Sequence, residues 1–464
     1  MFIPVVATAL LASVSDGLPA KAPETVGMSA ARLEAIDRVV QRGISEGGYP
    51  GAAVVVGRNG AAVLQRGFGR TGWTYNTPRV TADKTIYDLA SLTKVVATTS
   101  AIMFLYDEGK VRLDDPVVKY LPEFGASGGK DRVTIRHLLT HRSGLPAGRN
   151  LWRDAFGAER ARQLVLETPI YCSPGACYEY SDLGADVLGF VAERVSGQRL
   201  DQFLQTRLFD PLGMNDTYFK PADSLRYRIA PTDMNTARGY AQAGEVHDEN
   251  AYALGGIAGH AGLFSTAADL SLFAQLLLNE GSYNGVRIFG DTTVRLFTTR
   301  AAGGRALGWD SAYEEGAAGA GQYMSARSFG HTGFTGTSMW IDPDRQMFVI
   351  LLTNRVHAPR AFRPARVIAD VRNDLADAAA AAVMDMPSLA LAMPVRFRSD
   401  RATGWNDRPA RRKSALRSSR SRAAAKARAA KAAKAKAAKA RKSGTKPAPK
   451  PRTSTTTSRA KAKA

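Results

Sequence analysis

The sequence predicts an α+β fold: a sheet built from strands at both ends of the body, flanked by helices, with a helical domain inserted between them. Three observations lead there. Asn59-Gly60 stands between two short apolar runs, a strong hairpin signal. Near the other end, the alternating apolar runs 338–341 and 347–353 flank Asp342-Pro343-Asp344-Arg345 and read as a second hairpin. Between the two lies a leucine-rich stretch with helical character, from Ile135 to Leu208.

Residues 29–46 open the body with Leu33, Ile36, Val39, Val40 and Ile44 at helical spacing. Strands 52–56 and 61–64 follow around Arg58-Asn59-Gly60. An apolar-patterned helix begins at Ser91, and another spans 183–195. Thr266-Ala267-Ala268-Asp269 reads as a capping box for a helix running through Leu278. The second hairpin and a helix over 365–384 complete the body.

The chain has 464 residues, 45% of them hydrophobic, enough core for one large or two ordinary domains. Its net charge of +21 belongs to one end. Of 63 Lys and Arg, 21 lie beyond residue 407, where there is no Asp or Glu, so the body carries 42 basic against 42 acidic residues. The pI therefore says nothing about what the body binds. Residues 391–464, rich in Lys, Ala and Arg, cannot bury enough apolar surface to offset their ordering entropy and are expected to be disordered. Such a tail is expected either to bind polyanions through counterion release (envelope polymers or acidic lipid outside the cell, nucleic acid inside) or to be a plain solvated tail. Beyond Trp405 it has no aromatic side chain, which excludes recognition by base stacking.

The first twelve residues form a largely apolar run and Ala20-Lys21-Ala22 follows, so 1–22 is read as a leader and 23–390 as the body. Export to the periplasm or cell envelope is the expectation, although the leader lacks a basic start and also fits an ordinary apolar terminus. No apolar stretch reaches 18 residues, so no membrane-spanning helix is expected. Cys172 and Cys177, separated by Ser-Pro-Gly-Ala, are either a disulfide or two packed thiols. Two cysteines make a poor zinc site, and His137 and His141, four apart, lack the glutamate of a zinc-protease helix. No metal and no cofactor are expected.

Three short motifs carry chemistry. Ser91-Leu92-Thr93-Lys94 puts a hydroxyl and an amine on one face of a helix, where the amine can activate a weak nucleophile. The free N–H groups of a helix start favour an alkoxide there. Tyr180-Ser181-Asp182 precedes the 183–195 helix, and a phenol near a lysine ammonium has its charged form favoured and can serve as general base. His331-Thr332-Gly333-Phe334-Thr335-Gly336-Thr337 runs into a strand, where glycine allows a ligand close to the backbone. Taken singly, each also fits a plain role: a helix cap with a solvated lysine, a packed tyrosine beside a capping aspartate, a glycine-rich loop.

Taken together and in this order, the motifs resemble the serine β-lactamase and penicillin-binding-protein family in its class C-like branch, which holds D-alanyl-D-alanine carboxypeptidases, D-aminopeptidases and esterases. Residues 133–145, Pro211-Leu212-Gly213-Met214 and 259–266 are similar to it as well. The resemblance covers roughly 25–385. It implies an antiparallel sheet flanked by helices with a helical domain across the cleft. It also implies Ser91 as acylated nucleophile, Lys94 as its proton partner and Tyr180 as base and proton donor. Asp182, His331, Thr332, Gly333 and Phe334 then bind substrate, with the N–H groups of Ser91 and Phe334 as oxyanion hole.

Two departures stand out. The family's middle motif ends in Asn where this chain has Asp182; an ionised Asp only accepts hydrogen bonds, so it would hold Lys94 protonated and leave Tyr180 as the base. His331 replaces the lysine of true β-lactamases and removes a fixed positive charge. Both point away from efficient β-lactam hydrolysis. The expected protein is a serine hydrolase of small-molecule or peptide substrates, D-amino-acid peptides or small esters. The alternative is a non-catalytic wall-peptide binder tethered to polyanions by its tail.

Overall fold

Strands from the two ends of the body lie side by side in a computed structural model describing residues 16–126, 128–234, 238–312 and 319–400. In chain order, helix α1 (Ala30–Ser45) precedes β1 (Gly51–Arg58), β2 (Ala61–Gly69) and β3 (Tyr87–Asp88). Next come α2 (Ser100–Asp107), α3 (Ile135–Leu139), α4 (Leu151–Asp154), α5 (Asp182–Ser196) and β4 (Tyr218–Phe219). Helix α6 (Glu249–Ala253), β5 (Leu263–Ser265) and α7 (Ala267–Leu278) lead to β6 (Asp310–Ser311), β7 (Phe329–Thr332), β8 (Ser338–Asp342) and β9 (Met347–Thr353), and α8 (Pro364–Ala381) follows.

The main sheet has the order β2-β1-β9-β8-β7-β6, antiparallel throughout. Val54 faces Leu351 across the β1–β9 pair, which joins the first hairpin to the second. Asn59 and Gly60 both take positive φ, 48° and 79°, the left-handed pair a tight hairpin turn demands. Every residue of β1 is buried, because both faces of the sheet are covered. Ala52, Val54 and Val56 pack with α1 and α8. Ala53 and Val55 face α7 and the helical region beyond it.

Several elements differ from expectation. Strands β1 and β2 extend past 52–56 and 61–64, since their ladder runs from the Gly51–Gly69 pair to the Arg58–Ala61 pair. The 135–208 stretch is a series of helices broken by loops, one closed by a disulfide between Cys172 and Cys177. Ser181, not Asp182, caps α5, its Oγ accepting from the Gly184 N–H. Thr266 caps α7 through the Asp269 N–H, while the Asp269 carboxylate turns to the Asp216 N–H and the Thr217 hydroxyl. Helix α8 stops at Ala381, where the Met384 N–H donates to the Gly27 carbonyl.

The body also runs past its expected end at 390. Phe397 is 3% exposed, and Arg398 pairs with Asp374 and Asp377 of α8. At the other end Leu18 is buried and the Lys21 N–H donates to Ala62 O, so the last residues of the expected leader pair with β2. Residues 1–15 of that leader and 401–464 of the tail lie outside the described residues. Among the described residues no helix is long and apolar enough to cross a membrane.

One close approach positions the site. Gly259 lies against α5, and a Cβ there would run into the Ala185 carbonyl oxygen. Gly259→Ala is expected to cost about 1–3 kcal/mol through overpacking. A lower urea midpoint with unchanged slope checks it.

Candidate active site

The chain from Leu89 to Lys94 makes a tight turn into the helix. Ala90 takes φ 47°, and the Leu92, Thr93 and Lys94 N–H groups donate three residues back. Ser91 therefore stands one residue before the first helical turn rather than inside it. Residues Lys94–Thr99 then wind as a π-helix before α2, a local widening common at functional sites.

Lys94 is 3% exposed and all three of its ammonium protons have acceptors. Nζ lies 3.0 Å from Ser91 Oγ, 2.7 Å from Asp182 Oδ1 and 3.0 Å from the His260 carbonyl oxygen. Burial alone would push its pKa down. The Asp182 carboxylate and then the Tyr180 phenol more than offset this, holding Lys94 above its ordinary value and protonated.

Tyr180 stands over the same ammonium, its ring centroid 5.0 Å from Nζ. The ring is fixed between two imidazoles, His141 at 4.5 Å and His331 at 5.9 Å between centroids. His141 sits in a left-handed turn after α3, and its Nδ1 accepts the Ser181 N–H. Burial, followed by the charges of Arg305 and Lys94, pushes both imidazoles well below the usual range. Both are neutral at neutral pH.

The third motif is pinned to the first. Thr335 Oγ1 donates to Asp88 O and Thr337 Oγ1 to Leu89 O, the residues leading into Ser91. A Cβ at Gly333 would strike Thr337 Oγ1 and the Leu89 oxygen, so only glycine fits where the strand passes. His331 is 2% exposed, with Nδ1 2.8 Å from the Thr332 oxygen and Nε2 unpartnered among the described residues. Phe334 is exposed, its ring stacked on His247 and covered by the Arg355 guanidinium 4.6 Å away. Among the described residues neither the Ser91 nor the Phe334 N–H meets a protein acceptor.

Two cavities meet at Ser91. One, of about 490 Å³, is lined by Trp152 of α4, Tyr180, Asp182, His247, Asp248 and Phe334. The other, of about 420 Å³, is lined by Tyr178, Tyr180, the residues 331–334, Arg355 and Arg372. The structure thus brings Ser91, Lys94, Tyr180, Asp182, His331, Thr332, Gly333 and Phe334 to one place. Sequence reading missed Arg355 and Arg372, which sit in no motif; His141 and His260 lie in the family-like stretches 133–145 and 259–266 but show no role there from sequence alone.

Arg355 and Arg372 change the charge of the cleft. Arg372 Nη2 donates to the Gly333 and Thr337 oxygens, and neither guanidinium has an acidic partner among the described residues. Among the described residues the one carboxylate on that cavity wall, Asp310, is paired with Arg305. Burial, then the neighbouring Arg355 charge, pushes Arg372 down to about 9, still cationic at neutral pH. The positive charge missing at His331 is therefore supplied from α8 and from the loop after β9. Among the described residues no group of three or more His, Cys, Asp or Glu side chains is placed to hold a metal ion.

The chain is similar to several known proteins. The model of a family described as Beta-lactamase matches residues 36–373. A "Putative D-alanyl-D-alanine carboxypeptidase" of Salmonella agona (strain SL483) is 34% identical over 378 residues, covering 74% of this chain and 87% of the relative. In fold, the chain is similar to a penicillin-binding protein homologue from Caulobacter crescentus, with TM-score 0.60 and 22% identity over 77% of this chain and 99% of the other. It is similar also to EstCE1, a hydrolase with promiscuous acyltransferase activity, with TM-score 0.60 and 23% identity over 74% and 99%.

Proposed function

The chain belongs to the Beta-lactamase family of serine hydrolases, and from that premise we propose that it cleaves peptides ending in a free carboxylate, of the D-amino-acid type found in cell walls. Small esters are accepted, and β-lactam hydrolysis is weak. The observation that carries the reading is the pair of guanidiniums, Arg355 and Arg372, without acidic partners among the described residues, on the cavity that opens at Ser91. A substrate carboxylate placed there neutralises two charges already confined by the fold. Asp182, committed to Lys94, offers an incoming amide acceptors only.

In this reading Ser91 Oγ attacks the scissile carbonyl while Tyr180 takes its proton. The oxyanion is held by the Ser91 and Phe334 N–H groups, one such donor being worth about 3–4 kcal/mol. Tyr180 returns the proton to the leaving amine, and the acyl-enzyme remains. Water then attacks, losing its proton to Tyr180, and Ser91 leaves as the alcohol. Lys94 stays an ammonium throughout, because its three protons are already donated. Thr332 and Gly333 line the strand edge along which the peptide pairs. The Cys172–Cys177 disulfide supports an oxidising compartment and hence export.

Arg355→Gln is expected to lower kcat/KM for a peptide with a free C-terminal carboxylate by about tenfold to a hundredfold, the usual value of a charge-assisted bond. It should change turnover of an uncharged p-nitrophenyl ester by less than about threefold. Equal losses on both substrates contradict the carboxylate reading. So does a wild-type enzyme that cleaves the C-terminal amide as fast as the acid.

A further inference from the structure

His260 takes no part in the acylation steps, yet it is 2% exposed and surrounded by charge. Its Nδ1 lies 2.7 Å from Asp186 Oδ1 and its Nε2 2.9 Å from Asp248 Oδ1. Its backbone N–H donates to the same Asp186 oxygen, and its carbonyl accepts from Lys94. We propose that His260 is a positioning residue: its ring, donating to Asp186 and Asp248 at once, clamps the 247–250 wall of the cleft to the carbonyl that holds Lys94.

Each partner has a distinct place. Asp186 lies one turn after Asp182 on α5 and is fully buried. Asp248 caps α6, accepting the Asn250 and Ala251 N–H groups, and its side chain is 36% exposed to the cleft. Beside it, the His247 N–H donates to Asp88 Oδ2, whose other oxygen accepts the Ala90 N–H. The wall is thus tied at one point to the turn before Ser91 and at another, through the imidazole, to the lysine. The close approach at Gly259 lets the ring reach Asp186.

Two ionised carboxylates facing two ring nitrogens are both satisfied when each nitrogen carries a proton. The charged groups around the ring are Lys94 before α2, Asp182 and Asp186 on α5, and Asp248 at the start of α6. Burial opposes the imidazolium; Asp186 and then Asp248 more than offset it and hold its pKa well above the ordinary value.

The inference rests on the reading of Ser91 and Lys94 as catalytic, and its test has an arm that does not. In ¹⁵N-labelled full-length protein, the histidine whose signals vanish in His260→Asn should carry protons on both ring nitrogens from pH 6 to at least about 8. A ring protonated once, or titrating near its ordinary value, overturns the clamp. In the kinetic arm, Asp248→Ala frees the wall but leaves His260 on Asp186. It should raise KM for ester or peptide about tenfold with kcat within about threefold, the value of one charge-assisted bond. Asp248→Asn keeps both an acceptor and a helix cap and should recover most of the loss. An unchanged KM in Asp248→Ala overturns the proposal. A doubly protonated ring in a protein without Ser91-dependent turnover instead sinks the functional reading and leaves the clamp standing.

Discussion

Ser91→Ala is expected to lower ester and peptide turnover by about 10⁴-fold or more, the scale on which loss of a nucleophile acts. Ser91 Oγ is the hydroxyl that Lys94 holds at 3.0 Å, at the junction of the two cavities. The change removes one oxygen from a half-buried turn. Lys94 keeps Asp182 and the His260 carbonyl as acceptors, so no buried charge is stranded. The fold should therefore survive, with a thermal midpoint close to that of the unaltered chain. Hydrolysis of a p-nitrophenyl ester and labelling by a fluorophosphonate both read the outcome. Labelling that persists in Ser91→Ala would assign the chemistry to another residue.

Tyr180→Phe is expected to cost about 10²–10⁴-fold in kcat, the range for losing a general base. Phenylalanine keeps the ring between His141 and His331 and removes only the oxygen. The competing base is Lys94, and the structure argues against it. Asp182 at 2.7 Å keeps the amine charged, and a charged amine with three acceptors has no lone pair to offer. His141 and His331 are neutral across the working range, so neither is expected to supply a titration between pH 6 and 8. A Tyr180→Phe enzyme within about threefold of the original kcat would return the role to Lys94.

Much of this was readable in the chain because its signals are local. Asn59-Gly60 marks a turn by dihedral preference alone, and Leu33, Ile36, Val39 and Val40 mark a helix face by their spacing. The three motifs are likewise short and ordered. What the chain conceals is set by tertiary contact. Nothing near Val54 announces that it pairs with Leu351, nearly three hundred residues on. Arg355 and Arg372 reach the cleft from a loop and a helix whose sequences read as ordinary. The motif alone therefore shows histidine in place of lysine at 331 and nothing of the two guanidiniums on the same cavity wall. Thr335 and Thr337 lie inside the third motif but show their use only once Asp88 and Leu89 are alongside. The π-wound turn after Ser91 has no compositional signal, and the cysteine pair left both redox states open until the loop between them closed.

Covalent capture tests the central claim most directly. Full-length protein is exposed separately to a β-lactam, a D-alanyl-D-alanine peptide and an activated ester, and its intact mass is followed by peptide mapping. One acyl group added to Ser91, formed slowly from the β-lactam and turned over with the ester, is the predicted result. No adduct and no turnover with any of the three, or an adduct mapped to another side chain, would contradict the account and leave the chain as a binder of wall peptides.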